Sequence, residues 1–178
     1  MDAESTAINA FSDSLRKRWE RQRQLRTHGE NLDEGVVQAI SDDAAALVIS
    51  NLSWHLALGE SVSARSLATK LGLAAEAIIY MIESGHFVGL VGKHDAFLPL
   101  WQFSNHTPDK EPSDAVAAVL RVFRDGLGKD FAPELVVLWG ATKQPELHGE
   151  EPRQVLLSNK DPQNLTWSAQ VTVSGLTQ

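Results

Sequence analysis

The stretch from Ser63 to Phe103, SARSLATKLGLAAEAIIYMIESGHFVGLVGKHDAFLPLWQF, constrains the fold more than any other part of the chain. Ser63 is a good helix cap, and Ala68 and Gly72 take the small and turn positions between two short helices. Ile78 and Met81 share an apolar side with Leu67, Leu71 and Leu73, and Gly85 closes the second helix after Ile82. Phe87 to Val91 and Ala96 to Leu98 then read as two short strands joined by Gly92, Lys93, His94 and Asp95, a turn-rich tetrad. This order is that of a helix-turn-helix followed by a hairpin, or wing. A second helix lying in a major groove would offer Ala74, Ala75, Glu76, Ile79, Tyr80 and Glu83. That set lacks the Lys, Arg, Asn and Gln that make most base and phosphate contacts, and its two carboxylates are repelled by phosphates. The scaffold of a DNA reader is expected without its reading chemistry.

The 178 residues, 43% of them hydrophobic, can bury one substantial core, or a domain plus a smaller module. Charge is uneven: residues 1 to 30 hold six basic and five acidic side chains, and the remainder ten basic against eighteen acidic, a body near −8. An acidic body disfavours general binding to nucleic acid or anionic membranes. The absence of Cys excludes disulfides, thiol catalysis and cysteine zinc sites, and is compatible with a reducing compartment. The start, MDAESTAINAF, has neither the basic nor the apolar region of a signal peptide, and no apolar run approaches the roughly 20 residues of a membrane helix. A cytoplasmic location is expected.

Ile8, Phe11, Leu15 and Trp19 follow helical spacing, and Thr27 to Gly35 reads as a connection. Ser41 or Asp42 can cap a helix whose stripe, Ala45, Val48, Ile49, Leu52 and Leu56, ends at Gly59 and is expected to pack on the helix-turn-helix. Asn105 to Ser113, polar and twice interrupted by proline, reads as a linker. Ser113 or Asp114 caps a helix bearing Val116, Val119, Leu120 and Phe123. Pro133 suits the first turn of another with Leu135, Val136, Leu138 and Trp139, and Pro152 starts a short third. From Asn164 to Val173 the pattern fits both strand and helix: Leu165, Trp167, Ala169, Val171 and Val173 alternate, while Leu165, Ala169 and Val173 share a helical face. The expected fold is mainly α, a helix-turn-helix with a small hairpin followed by a small helical domain. Its parts are an amino-terminal basic helix and connection (1–35), the helix-turn-helix unit (36–104) and a carboxy-terminal domain (113–178).

The six histidines are scattered without metal-ligand spacing, and no GxSxG, phosphate loop or GxGxxG occurs. No metal, cofactor or catalytic residue is assigned, and the chain reads as a non-enzyme. Arg16, Lys17, Arg18, Arg21, Arg23 and Arg26 form the one credible site for a nucleic acid, with Trp19 among them to stack. The rival reading is a solvated helix end paired with Glu20 and Glu30. Trp101, Trp139 and Trp167 lie in the second half, where large aromatics fill a small helical core or anchor a partner.

Two further segments carry a resemblance. FLPLWQF, Phe97 to Phe103, is similar to the phenylalanine-proline-x-tryptophan/phenylalanine-glutamine-phenylalanine segment of the Xre/MbcA/ParS antitoxins. Trp139 followed by PELHGEEPRQVLL, Pro145 to Leu157, resembles their carboxy-terminal motif, with Pro145, Leu147, Gly149, Pro152, Val155 and Leu156 in its places. The likeness spans roughly residues 60 to 175. It implies a mainly helical, dimeric antitoxin that binds a protein toxin through the carboxy-terminal domain, the toxin being an NAD-consuming RES-domain protein. The corresponding partner-binding residues are Trp139, Pro145, Leu147, Gly149, Pro152 and Leu156, with Trp167 presented beyond them. The alternative is a DNA-binding transcriptional regulator that grips nucleic acid with the basic amino-terminal helix.

Overall fold

A computed structural model describes Ser12, Asp13, Arg16, Lys17, Glu20, residues 34–158 and residues 162–177. The chain divides into two compact units, Met1–Leu47 and Val48–Gln178. In the first, Ser12, Asp13, Arg16, Lys17 and Glu20 are helical. The expected stripe of Ile8, Phe11, Leu15 and Trp19 lies outside the described residues. Helix α1, Glu34–Leu58, begins in the first unit and ends in the second. Ser41 and Asp42 therefore sit inside a helix instead of capping one, and Asp42 Oδ1 accepts a bond from Gln38 Nε2 at 2.9 Å. No glycine or proline interrupts Val36 to Leu58, and Ala44, Ala45 and Ala46 favour propagation, so a potential cap has no break to cap.

The second unit is mainly helical, as the sequence leads one to expect, with one small sheet. After Gly59, whose φ of 67° ends α1, come β1 (Ser61–Ser63), α2 (Ala64–Leu71), α3 (Ala75–Glu83), β2 (Leu90–Val91) and β3 (Ala96–Pro99). Four helices follow: α4 (Asp114–Leu127), α5 (Pro133–Ala141), α6 (Pro152–Leu157) and α7 (Pro162–Leu176). The antiparallel sheet has the order β1-β3-β2, with Ser61 opposite Pro99 and Leu90 opposite Phe97. Strand β1 was not expected. Three residues are too few for an alternation to be read, and they become a strand only because β3 lies beside them.

The helix ends are made by the residues that the pattern singled out. Ser63 Oγ accepts the Ser66 N–H at 3.1 Å, and Gly72, at φ 68°, turns the chain between α2 and α3. Ser113 Oγ accepts the Val116 N–H at 3.5 Å to open α4, and Pro133 opens α5. The tail is helical: Leu165, Ala169 and Val173 are buried against α4, where a Cβ on Gly126 would come within 2.4 Å of Val173.

Two apolar clusters fill the second unit. The first holds Leu67, Ile78, Ile82, Phe87, Leu98 and Phe103 of the helix-turn-helix and sheet. The second joins Leu58, Val88 and Trp101 to Phe123, Val136, Trp139, Leu147, Val155, Leu165 and their neighbours. Fully buried Gln102 bridges segments between them: its Oε1 accepts the Val88 N–H at 2.8 Å, and its Nε2 donates to the carbonyls of Val88 and Pro99 at 2.8 and 3.1 Å. The side-chain amide thus completes backbone groups that have no strand partner. Asn105 to Ser113 is tied to the unit and not a free tether: Lys70 Nζ donates to the Pro108 carbonyl at 2.6 Å and the Ser113 N–H to Gln102 O at 2.8 Å. Helix α1 departs from expectation. Leu58 and half-buried Ala57 join the larger cluster, but Ile49, Leu52 and Leu56 face solvent and do not pack on the helix-turn-helix.

Candidate protein-binding surface

The carboxy-terminal motif builds a closed loop between α5 and α6. Pro145–Leu147 forms one 3-10 turn, and His148 and Gly149 take left-handed conformations at φ 58° and 80°. The chain then returns so that the Gln144 N–H donates to Glu150 O at 3.0 Å and the Gly149 N–H to Gln144 O at 2.9 Å. The buried Leu147 side chain pins the loop to the core. Pro145 and Gly149 are exposed at its tip, and a Cβ on Gly149 would meet nothing within 4 Å, so the glycine serves backbone direction, not close packing.

The candidate partner residues divide into two groups. Trp139, Leu147 and Pro152 are buried. Trp139 packs edge-on to Phe123 at 5.8 Å, and its Nε1 donates to Ser168 Oγ at 3.3 Å, which locks α5 to α7. These three shape the surface without forming it. Pro145, Gly149 and Trp167 are exposed, and Leu156 is half-buried. Leu156 lines a hollow of about 450 Å³ with Trp101, Phe103 and Leu165, while His106 and Asp114 contribute polar groups.

Trp167 stands on the outer side of α7, 57% exposed, with Val171 one turn on and 37% exposed. Gln170 and Ser174 lie on the same side and are also exposed. No charged residue occurs from Pro162 to Leu176. An exposed helix face bearing a Trp and no charge is unusual for a surface in contact only with water. Val171 was legible in the sequence only as one alternative of the ambiguous tail. Its partnership with Trp167 follows from the helical outcome, which buries Leu165, Ala169 and Val173 and turns the intervening residues outward.

Arg153, within the same motif, does work that the spacing did not reveal. Its Nη1 donates to the carbonyls of Leu56 and Ala57 at 2.7 and 3.0 Å, and its Nε to Glu151 Oε2 at 2.7 Å. A guanidinium thereby satisfies the last carbonyls of α1 and meets the negative end of its dipole.

On the helix-turn-helix, Ala74, Glu76, Tyr80 and Glu83 are exposed, while Ala75 and Ile79 are half-buried against the smaller cluster. The exposed face of α3 is therefore acidic and aromatic. The cations nearest to it in sequence, Arg65 and Lys70, are on α2, and Lys93 is exposed at the hairpin turn. Of the basic amino-terminal set, Arg16 and Lys17 are helical and exposed, with Arg16 Nη1 4.0 Å from Asp13 Oδ1. Arg18, Arg21, Arg23 and Arg26 lie outside the described residues. Among the described residues no cluster of three or more His, Asp or Glu is placed to hold a metal ion, and no helix is long and apolar enough to cross a membrane. No protein-family model matches the chain, and no curated protein or solved structure matches it.

Proposed function

We propose that this chain is a non-enzymatic, antitoxin-like protein of the Xre/MbcA/ParS type that binds and neutralises a protein toxin through its carboxy-terminal helices. The proposed toxin is of the RES type, an enzyme that consumes NAD, and the proposed setting is the cytoplasm. The observation that carries the reading is the outer face of α7, where Trp167 and Val171 are exposed on a helix without charge. The loop of Pro145 to Gly149 supports it as a preformed edge whose turns cost little further ordering on binding. The acidic face of α3 agrees with a protein that acts on another protein instead of reading bases.

The test is rescue of cells that express the toxin encoded beside the gene. Trp167→Glu is expected to abolish rescue and to lower toxin capture, while the purified variant keeps its cooperative melt. Glu76→Ala with Glu83→Ala is expected to rescue fully. Full protection by a normally folded Trp167→Glu protein, or the absence of any toxin neighbour or co-purifying chain, would sink the assignment. Removing residues 159–178 is a poorer test, because it takes Leu165, Ala169 and Val173 out of the core.

The second reading, a DNA-binding transcriptional regulator, is favoured by the β1-β3-β2 order around α2 and α3, which gives the unit a wing, and by exposed Arg16 and Lys17. Operator-specific retention at physiological salt would raise it above the first.

A further inference from the structure

The sheet has a second face that the smaller cluster does not use. Side chains alternate along β3, so Ala96 and Leu98 enter that cluster while Phe97 points the other way and is 44% exposed. There Phe97 and its cross-strand partner Leu90 border a hollow of about 560 Å³. The last turns of α1 line it with half-buried Trp54 and buried Leu58, and the first turn of α5 lines it with Glu134. Glu134 is half-buried and is the only Asp, Glu, Lys or Arg in the lining. Among the described residues no cation pairs with it, and Lys93, beside Gly92 at the hairpin turn, does not line the hollow. The faces of aromatic rings carry the negative part of their quadrupole, so Trp54 and Phe97 act on a cation in the same sense as the carboxylate. We propose that this hollow binds a small organic cation, a tertiary or quaternary ammonium on an aryl or alkyl body, held by Trp54, Phe97 and Glu134.

The lining selects this class by what it lacks. Without Lys or Arg it offers an anion no counter-charge, and among the described residues no group of three or more His, Asp or Glu is placed to hold a metal ion. A primary ammonium is strongly hydrated and has three N–H donors to satisfy, whereas the side-chain acceptors here besides Glu134 are confined to Ser50, Asn51 and His55. An alkylated nitrogen has few or no N–H groups, and aromatic faces with one carboxylate suffice for it. The volume falls within the range of about 300–1,000 Å³ of small-ligand sites, with Leu58, Leu90 and Val91 to meet the apolar body. A bound ligand covers Phe97 and Val91, the exposed apolar residues of this face. The net charge of −7 favours the approach of a cation. The site uses neither α7 nor the loop at Pro145 and stands independently of the antitoxin reading.

Benzyltrimethylammonium, titrated into the full chain at about pH 8, above the range in which histidine ordinarily carries charge, tests it by calorimetry and by NMR of the indole N–H signals. The expected result is saturable one-site binding with a Kd below about 1 mM. The Trp54 signal, assigned with Trp54→Phe, is expected to shift while that of Trp167 stays in place. Benzyl alcohol, the neutral counterpart, and phenylmethanesulfonate, the anionic one, are expected to bind more weakly by about tenfold or more. Glu134→Gln and Phe97→Thr should each lower the affinity about fivefold or more with an unchanged melt, and Tyr80→Ser, at an exposed ring on α3, should not. Glu134→Gln decides the matter alone if Phe97→Thr loses its fold. No saturation by about 10 mM, equal binding of benzyl alcohol, or a Glu134→Gln protein that binds as well as the parent overturns the proposal. A trimethyllysine peptide that binds about tenfold more tightly than the probe also overturns it, in favour of a modified protein tail.

Discussion

At the scale of single residues, the fold leans on side chains that substitute for missing backbone partners or that permit close approach. Gln102 is the first kind. Replacing it with Leu keeps the volume but strands the buried N–H and C=O of Val88, at about 1–3 kcal/mol for each orphaned group. Urea unfolding of Gln102→Leu is expected to show a loss of about 2–4 kcal/mol, while Gln144→Leu, whose amide reaches only the Thr142 carbonyl at 3.1 Å, loses less. Gly126 is the second kind. A Cβ there would lie 2.4 Å from Val173 Cγ1, so Gly126→Ala should destabilise by about 1–3 kcal/mol despite the better helix propensity of Ala. Adding Val173→Ala removes the clash, and a double-mutant cycle should therefore show strong favourable coupling. Additive losses would show that α4 and α7 do not meet at this point.

At the scale of elements, α7 has one side in the core and an outer side that is proposed to meet a partner. Its inner side is structural, so Leu165→Ala should cost about 2–5 kcal/mol in a thermal or chemical melt. Trp167→Ala, on the outer side, should change stability by no more than about 1 kcal/mol while removing the proposed partner contact. If Trp167→Ala unfolds the unit, the outer face is part of the core and the proposed contact surface falls. Helix α6 is tied to the end of α1 by Arg153. Arg153→Met keeps the aliphatic stem but leaves the Leu56 and Ala57 carbonyls without their donor, and should cost about 1–3 kcal/mol. An unchanged melt would show that water serves those carbonyls equally well. Helices α2, α4 and α5 were legible in the chain because Ser63, Gly72, Ser113 and Pro133 act within a turn of their own position. Strand β1 was not, because its partner is more than thirty residues away, at Phe97 to Pro99.

At the scale of the whole molecule, charge decides what nucleic acid can do with the chain. The basic side chains outside residues 16 to 26 are outnumbered by carboxylates, and α3 exposes Glu76 and Glu83. Any affinity for DNA should therefore depend on Arg16, Lys17, Arg18, Arg21, Arg23 and Arg26, with little sequence discrimination. The slope of log affinity against log salt is expected to be no steeper than about −5, from six phosphates neutralised at roughly 0.9 each. A fragment beginning at residue 41 that still holds one operator tightly would contradict this.

The sequence alone determined the mainly helical class, the turn at Gly72, the hairpin around Gly92 to Asp95 and the poverty of α3 in base-reading groups, because these rest on local stereochemistry and on side-chain identity. Which apolar residues became core was decided only by the tertiary structure. Trp139 and Trp167 are the same residue type, yet one is enclosed by Phe123 and Ser168 and the other stands in solvent. The Ile49, Leu52 and Leu56 stripe has the periodicity of a buried face and is left outside, since α1 is positioned by Leu58 in the core and by Arg153 on its last carbonyls. Periodicity states that a helix has an apolar side, but burial requires another surface to meet it, and that surface is assembled from segments distant in the chain.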